Sequence, residues 1–143
     1  MYQPIRCLLI GIDTCPWPDL RKRLIGTENI VVVGDFSGVT DALALSPHPA
    51  PDVILMSVTA LHFDIQQLEH VAASFPHSKV LLLSTSLERL WVLRAFNAGV
   101  RGYLDWQRTP VDAVIQAIRT LHEGGVTLDP QVAGWLLDEI TRP

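Results

Sequence analysis

Four short apolar runs, Cys7–Ile10, Ile30–Val33, Val53–Met56 and Val80–Leu83, recur along this chain at nearly regular intervals. Each is continuously hydrophobic rather than alternating, which is how strands covered on both faces read, and this points to a parallel sheet between two helical layers. A weaker fifth run, Gly102-Tyr103-Leu104, follows Gly99. The segments between the runs carry helical spacing. One begins near Pro18 and carries Leu20 and Leu24; a second covers Val39 to Leu45; a third sets Ile65, Leu68 and Ala72 on one stripe. A fourth runs from Leu87 to Ala98, with Gly99 supplying the stop. The fifth is predicted from Thr109 as N-cap, with Pro110 in the first turn and Asp112 three residues after the cap. Val111, Val114, Ile115, Ile118 and Leu121 form its apolar face.

Strand and helix in alternation give an α/β protein with helices on both faces of the sheet. Five such units in about 120 residues suggest the flavodoxin-like, doubly wound, five-stranded parallel sheet of order 2-1-3-4-5. This unit is expected to occupy residues 1–124, and residues 125–143 form a C-terminal extension. In the extension Asp129 can cap a sixth helix opened by Pro130, with Val132, Trp135, Leu136 and Ile140 as its apolar stripe. Such a helix either packs back on the domain or offers its face to a partner.

Composition narrows the function classes. Of 143 residues, 48% are hydrophobic and 18% charged, enough for a sizeable core and against disorder. The formal net charge is −4, and Arg21-Lys22-Arg23 is the one cluster of basic residues, read as a solvated helix face; direct nucleic-acid binding by this segment is not expected. No apolar run approaches the ~20 residues that span a bilayer, and Met1 to Arg6 lacks a signal-peptide pattern, so the cytoplasm is the expected location. Cys7 and Cys15 are expected to be reduced; the run Thr14-Cys15-Pro16-Trp17-Pro18 faintly resembles a redox loop but lacks the second cysteine a dithiol needs. His48, His62, His70, His77 and His122 show no metal-ligand spacing and are expected at the surface. No glycine-rich phosphate loop follows the first strand.

In an open parallel sheet the functional crevice lies beyond the carboxyl ends of the strands, where strand order reverses. That places Gly11, Ile12, Asp13 and Ser57 at the candidate site, with Ser84 ending the fourth strand and Asp105 and Trp106 the fifth. Around these positions the chain carries Ile5-Arg6-Cys7-Leu8-Leu9-Ile10, Val32-Val33-Gly34, Pro51-Asp52-Val53-Ile54-Leu55-Met56, Val92-Leu93-Arg94-Ala95, Ala117-Ile118-Arg119 and Gly125 to Ala133. In this order and spacing they resemble the receiver domain of bacterial response regulators, of the subfamily usually fused to a LuxR-type helix-turn-helix. The resemblance covers nearly the whole chain.

The resemblance implies a phosphoacceptor aspartate where this chain has Ser57, and a Mg²⁺-holding acidic pair where it has Gly11 and Ile12. The loop after the acceptor reads Ala60 to Ile65 and keeps only Asp64 of the family pattern. The switch hydroxyl matches Ser84, the switch aromatic matches Tyr103, and the family lysine is replaced by Trp106, or by Gln107 if the alignment slips by one. Phosphoryl transfer needs an in-line nucleophile and cationic neutralisation, and a serine without a nearby base is a poor nucleophile. The expectation is therefore a degenerate pseudo-receiver with no catalytic residue, no metal and no cofactor, its cleft plugged by Trp106. It would act through contacts with a protein partner: a second copy in a homodimer, a histidine-kinase-type protein or an output domain. Trp91, Tyr103 and Trp135 are the candidate interface residues. Two alternatives stand beside this. The chain is the receiver portion of a longer DNA-binding regulator, or a small-ligand or enzymatic module using a polar site of Asp13, Ser57, Ser84 and Asp105.

Overall fold

The computed structural model describes residues 3–45, 50–59, 64–85 and 88–142. Five strands form one parallel sheet: β1 (Ile5–Ile10), β2 (Ile30–Phe36), β3 (Val53–Ser57), β4 (Lys79–Ser84) and β5 (Val100–Asp105). Their order is β2-β1-β3-β4-β5, as the sequence pattern predicts. Among the described residues six α-helices flank the sheet: α1 (Leu20–Gly26), α2 (Val39–Leu45), α3 (Ile65–Ser74), α4 (Arg89–Asn97), α5 (Val111–His122) and α6 (Pro130–Thr141).

The continuous apolar runs resolve into two faces because successive side chains on a strand point to opposite sides. Cys7, Leu9, Val53, Leu55, Leu81 and Leu83 enter one apolar cluster, covered by Leu20 and Leu24 of α1 and by Val114, Ile118 and Leu121 of α5. Leu8, Ile10, Ile54, Met56, Val80 and Leu82 enter the other, covered by Ala42 of α2, Leu68 and Val71 of α3, and Val92 and Ala95 of α4. Nearly all of these side chains are fully buried, at about 1.5–3 kcal/mol for each large one taken from water.

Several local expectations shift. α5 starts at Val111 with Pro110 as its N-cap residue, so Thr109 is not the cap. Asp112 pairs with Arg23 of α1 instead of closing a capping box. On α3 the inward residue is Val71, while Ala72 is only half-buried. Leu87, the expected start of the fourth helix, lies outside the described residues, and α4 is observed from Arg89.

The extension packs back on the domain. Thr127 bridges the outer edge of β5: the Tyr103 amide donates to the Thr127 carbonyl (3.0 Å) and the Thr127 amide to the Arg101 carbonyl (3.1 Å). An edge strand covered in this way offers fewer free backbone groups to another chain. Asp129 then caps α6 by accepting from the Val132 amide (2.9 Å), as predicted. Val132 is fully buried, and Trp135 and Leu136 pack on the α4 side; Ile140, expected on the same stripe, is 78% exposed.

Candidate functional site

β1 ends in a turn that the sequence makes unusually tight. Gly11 follows Ile10 with φ +71°, a left-handed conformation that glycine adopts without penalty. A Cβ there would stand 2.6 Å from the Ser57 carbonyl oxygen, so the end of β3 leaves room only for a glycine. A 3₁₀ turn, Ile12–Thr14, follows at once, its geometry held by the Thr14 amide on the Gly11 carbonyl and the Cys15 amide on the Ile12 carbonyl, each 3.0 Å. Ile12 is buried in the α1/α5-side cluster. The turn swings Thr14 and Cys15 back over the end of β3.

There they meet Ser57, which is 5% exposed. Its hydroxyl oxygen lies 2.7 Å from Thr14 Oγ1 and 3.0 Å from Cys15 Sγ. The proton order follows from the acceptors. Thr14 Oγ1 donates to the Gly11 carbonyl (2.8 Å), which can only accept, so Ser57 donates to Thr14 and Cys15 donates to Ser57. The result is a neutral chain, Cys15 to Ser57 to Thr14 to the Gly11 carbonyl, with every proton used. Burial pushes the Cys15 thiol up; the Ser57 contact offsets part of this and the Asp13 charge adds to it. The thiol therefore keeps its proton, as this chain requires.

The other expected site residues divide among different neighbours. Asp13 is 75% exposed and pairs with Arg21 (3.0 Å), which also grips Asp35 (2.5 Å). Asp105 turns back on its own loop, accepting from the Gln107 amide (2.9 Å) with Arg108 beside it. Among the described residues neither carboxylate hydrogen-bonds Ser57 or the other; of the expected polar site of Asp13, Ser57, Ser84 and Asp105, Asp13 turns to Arg21 and Asp105 to its own loop. Arg21 and the β5 turn are the stronger partners. Trp106, with Cys15 and Trp17, packs on the α1/α5-side cluster that holds Ile12. On the other side a pocket of about 190 Å³ lies between Gly11, Ser57 and the start of α2, and Trp106 is not among its described lining residues.

Ser84 is fully buried at the end of β4, and its hydroxyl has no hydrogen-bond partner among the described residues. Tyr103 is 3% exposed within the α4-side cluster, which also takes Val132 of α6. Trp91 is half-buried, with the Arg94 guanidinium 5.1 Å from its ring centre, and Trp135 packs partly against the same cluster as Tyr103. Of the five histidines, His70, His77 and His122 are exposed as expected, while His48, His62 and the loop 60–63 lie outside the described residues.

A Mg²⁺ ion binds through carboxylates in near-octahedral geometry. Against that demand the strand ends present Gly11, buried Ile12 and a Ser57 already held by neutral partners. No group of three or more potential metal-ligating side chains occurs among the described residues. The residues at these positions do not fit a Mg²⁺ ion.

No protein-family model matches the chain. Among curated relatives, the transcriptional regulatory protein LnrK of Bacillus subtilis is 26% identical over 116 residues, 80% of this chain and 52% of that protein. The transcriptional regulatory protein DegU of Brevibacillus brevis is 29% identical over 123 residues, 85% of this chain and 52% of that protein. A LuxR-family two-component response regulator from Aurantimonas superposes with a TM-score of 0.74 at 22% identity, covering 98% of this chain and all of that one. The chain is a receiver-fold relative of response regulators. It spans about half the length of the curated relatives it matches.

In this receiver-fold domain sequence reasoning noted Thr14 and Cys15 only as a redox-loop fragment and did not link them to Ser57. Thr14 and Cys15 lie 43 and 42 residues from it. The available signal was a glycine directly after β1, followed beyond Ile12 by the short polar residues Asp13, Thr14 and Cys15.

Proposed function

We propose that the chain is a degenerate receiver, which takes part in two-component-type signalling through protein–protein contact and without aspartyl phosphorylation. The observation that carries this reading is the end of β3: Ser57 stands where the family's acceptor is expected, with its hydroxyl tied to Thr14 and Cys15. The acidic-pair positions hold Gly11 and Ile12, and Trp106 supplies no cation at the lysine position. Residues 1–124 act as the receiver unit, with residues 125–143 as an extension whose α6 lies on the α4 side. Ser84 and Tyr103 remain as the switch pair. Partners are a second copy, a histidine-kinase-type protein or an output domain. The contact surface runs along α4 and α6, where Leu90 and Leu137 are each 60% exposed beside Trp91 and Trp135. A groove of about 640 Å³ between the two helices, lined by Leu93, Phe96 and Leu136, supports that assignment. The test is an amide NMR titration with beryllofluoride and Mg²⁺. No saturable shift around Ser57 is expected, and saturable shifts centred there would overturn the reading.

A second reading, that the chain is the receiver portion of a longer DNA-binding regulator, is favoured by its match to half of proteins named as transcriptional regulators. It is compatible with the first. A reading frame that continues past Pro143 into a helix-turn-helix is the expected result, and a stop codon at that point would remove it.

A further inference from the structure

The pocket beside Ser57 has a chemistry of its own. Its volume is about 190 Å³, and it lies between the carboxyl ends of β1 and β3, the start of α2, and Gln67 of α3. Ile10, Val39 and Met56, all nearly buried, give it an apolar floor. Its polar lining comes from the Thr14, Ser37, Ser57 and Thr59 hydroxyls and the Gln67 amide, with no ionisable side chain among the described residues.

Charge and proton accounting together narrow the ligand. A bound anion or divalent cation would lie against an apolar floor with no counter-charge among the described lining residues, which costs far more than burying a neutral group. Ser57 and Thr14 have already committed their protons along the chain that ends on the Gly11 carbonyl. A hydroxyl oxygen has two lone pairs, and each of these has used one, so both still accept but neither donates. At about 30 Å³ for each water in the liquid, the pocket equals roughly six waters in size. That suits a molecule smaller than most drug-like ligands.

We propose that this pocket is a binding site for a small uncharged molecule with a compact apolar body and an N–H or O–H donor, such as a primary amide or an alcohol. The donor points at the Ser57 and Thr14 oxygens, and the apolar part rests on Met56 and Val39. A ligand held there bridges β3, α2 and α3, and so supplies the domain with an input that needs no phosphoryl group. Its signalling consequence rests on the degenerate-receiver reading; the binding itself does not.

The experiment is an amide NMR titration of the whole chain with isobutyramide, matched against isobutyrate, which has the same shape and a negative charge. Saturable shifts at Gly11, Gly38, Val39 and Ser57 are expected with the amide, and binding of the carboxylate roughly tenfold weaker or worse. Gly38→Leu serves as the blocking variant, because a Cβ at Gly38 meets nothing within 4 Å and the fold should tolerate it. It should abolish the shifts while leaving the unfolding midpoint unchanged. The proposal is overturned by the absence of saturable shifts with the amide, by equal binding of isobutyrate, or by shifts that persist in a folded Gly38→Leu protein. Beryllofluoride with Mg²⁺, run separately, moves the same amides only if the degenerate-receiver reading fails, so the two failures are distinct.

Discussion

Ser57 and Ser84 end neighbouring strands, and both hydroxyls are almost wholly buried, yet their surroundings are opposite. Ser57 pairs with Leu83 in the ladder, so Ser84 stands one residue further along. At Ser57 the turn after β1 folds back and supplies one donor and one acceptor. At Ser84 the loop after β5 returns too, but only its backbone connects: the Trp106 amide takes the Ser84 carbonyl (3.0 Å), and the hydroxyl has no partner among the described residues. An unpaired buried hydroxyl costs about 1–3 kcal/mol. The difference teaches that a strand-end serine becomes inert only when side chains, and not merely backbone, come back to it. One serine is locked, while the other keeps an unspent hydrogen bond of the kind a moving element can use.

Three measurements probe this contrast, beginning with the largest effect. Burial, and then the Asp52 charge, push the Cys7 thiol up to about 12 from 9.0, and burial also raises Cys15. The folded state thus keeps protons that the unfolded chain gives up. This stability is intact below about pH 9 and is lost as pH climbs toward 12, by up to about 1.4 kcal/mol per pH unit for one thiol. Urea unfolding across this window should show the decline. Cys15→Ser keeps a donor for Ser57 without titrating there, and should flatten part of the slope; identical slopes would show that burial does not raise the Cys15 thiol.

The alanine pair gives the smaller effects. Ser57→Ala leaves the Cys15 thiol without an acceptor and Thr14 without a donor, and should cost about 1 kcal/mol in denaturant unfolding. Ser84→Ala removes a hydroxyl that has no described partner, and should change stability by less than about 0.5 kcal/mol or raise it. The reverse order would break the comparison.

The sequence carried the sheet clearly, because strands buried on both faces need unbroken apolar runs, and these fixed the positions of Ser57, Ser84 and Asp105 at the strand ends. It carried the site less well. Within a strand, side-chain direction follows from a two-residue period, but Trp106 lies one residue past β5, where that period no longer applies. Its turn toward the α1/α5 face could not be read. Asp13 was drawn away by Arg21, a helical residue whose reach depends on how α1 docks. Thr14 and Cys15 required knowing that the turn after β1 closes over β3. Ile140 shows the limit of periodicity on α6: it shares the stripe spacing but projects beyond what α4 can cover.

Gly11 makes the present state hard to undo. Because a single added carbon would collide with the backbone of β3, no one-step substitution can put a carboxylate at that position without first moving the strand beside it. Placing an acidic side chain at this strand end would take coordinated changes in two segments, so the close approach of β1 and β3 works as a ratchet.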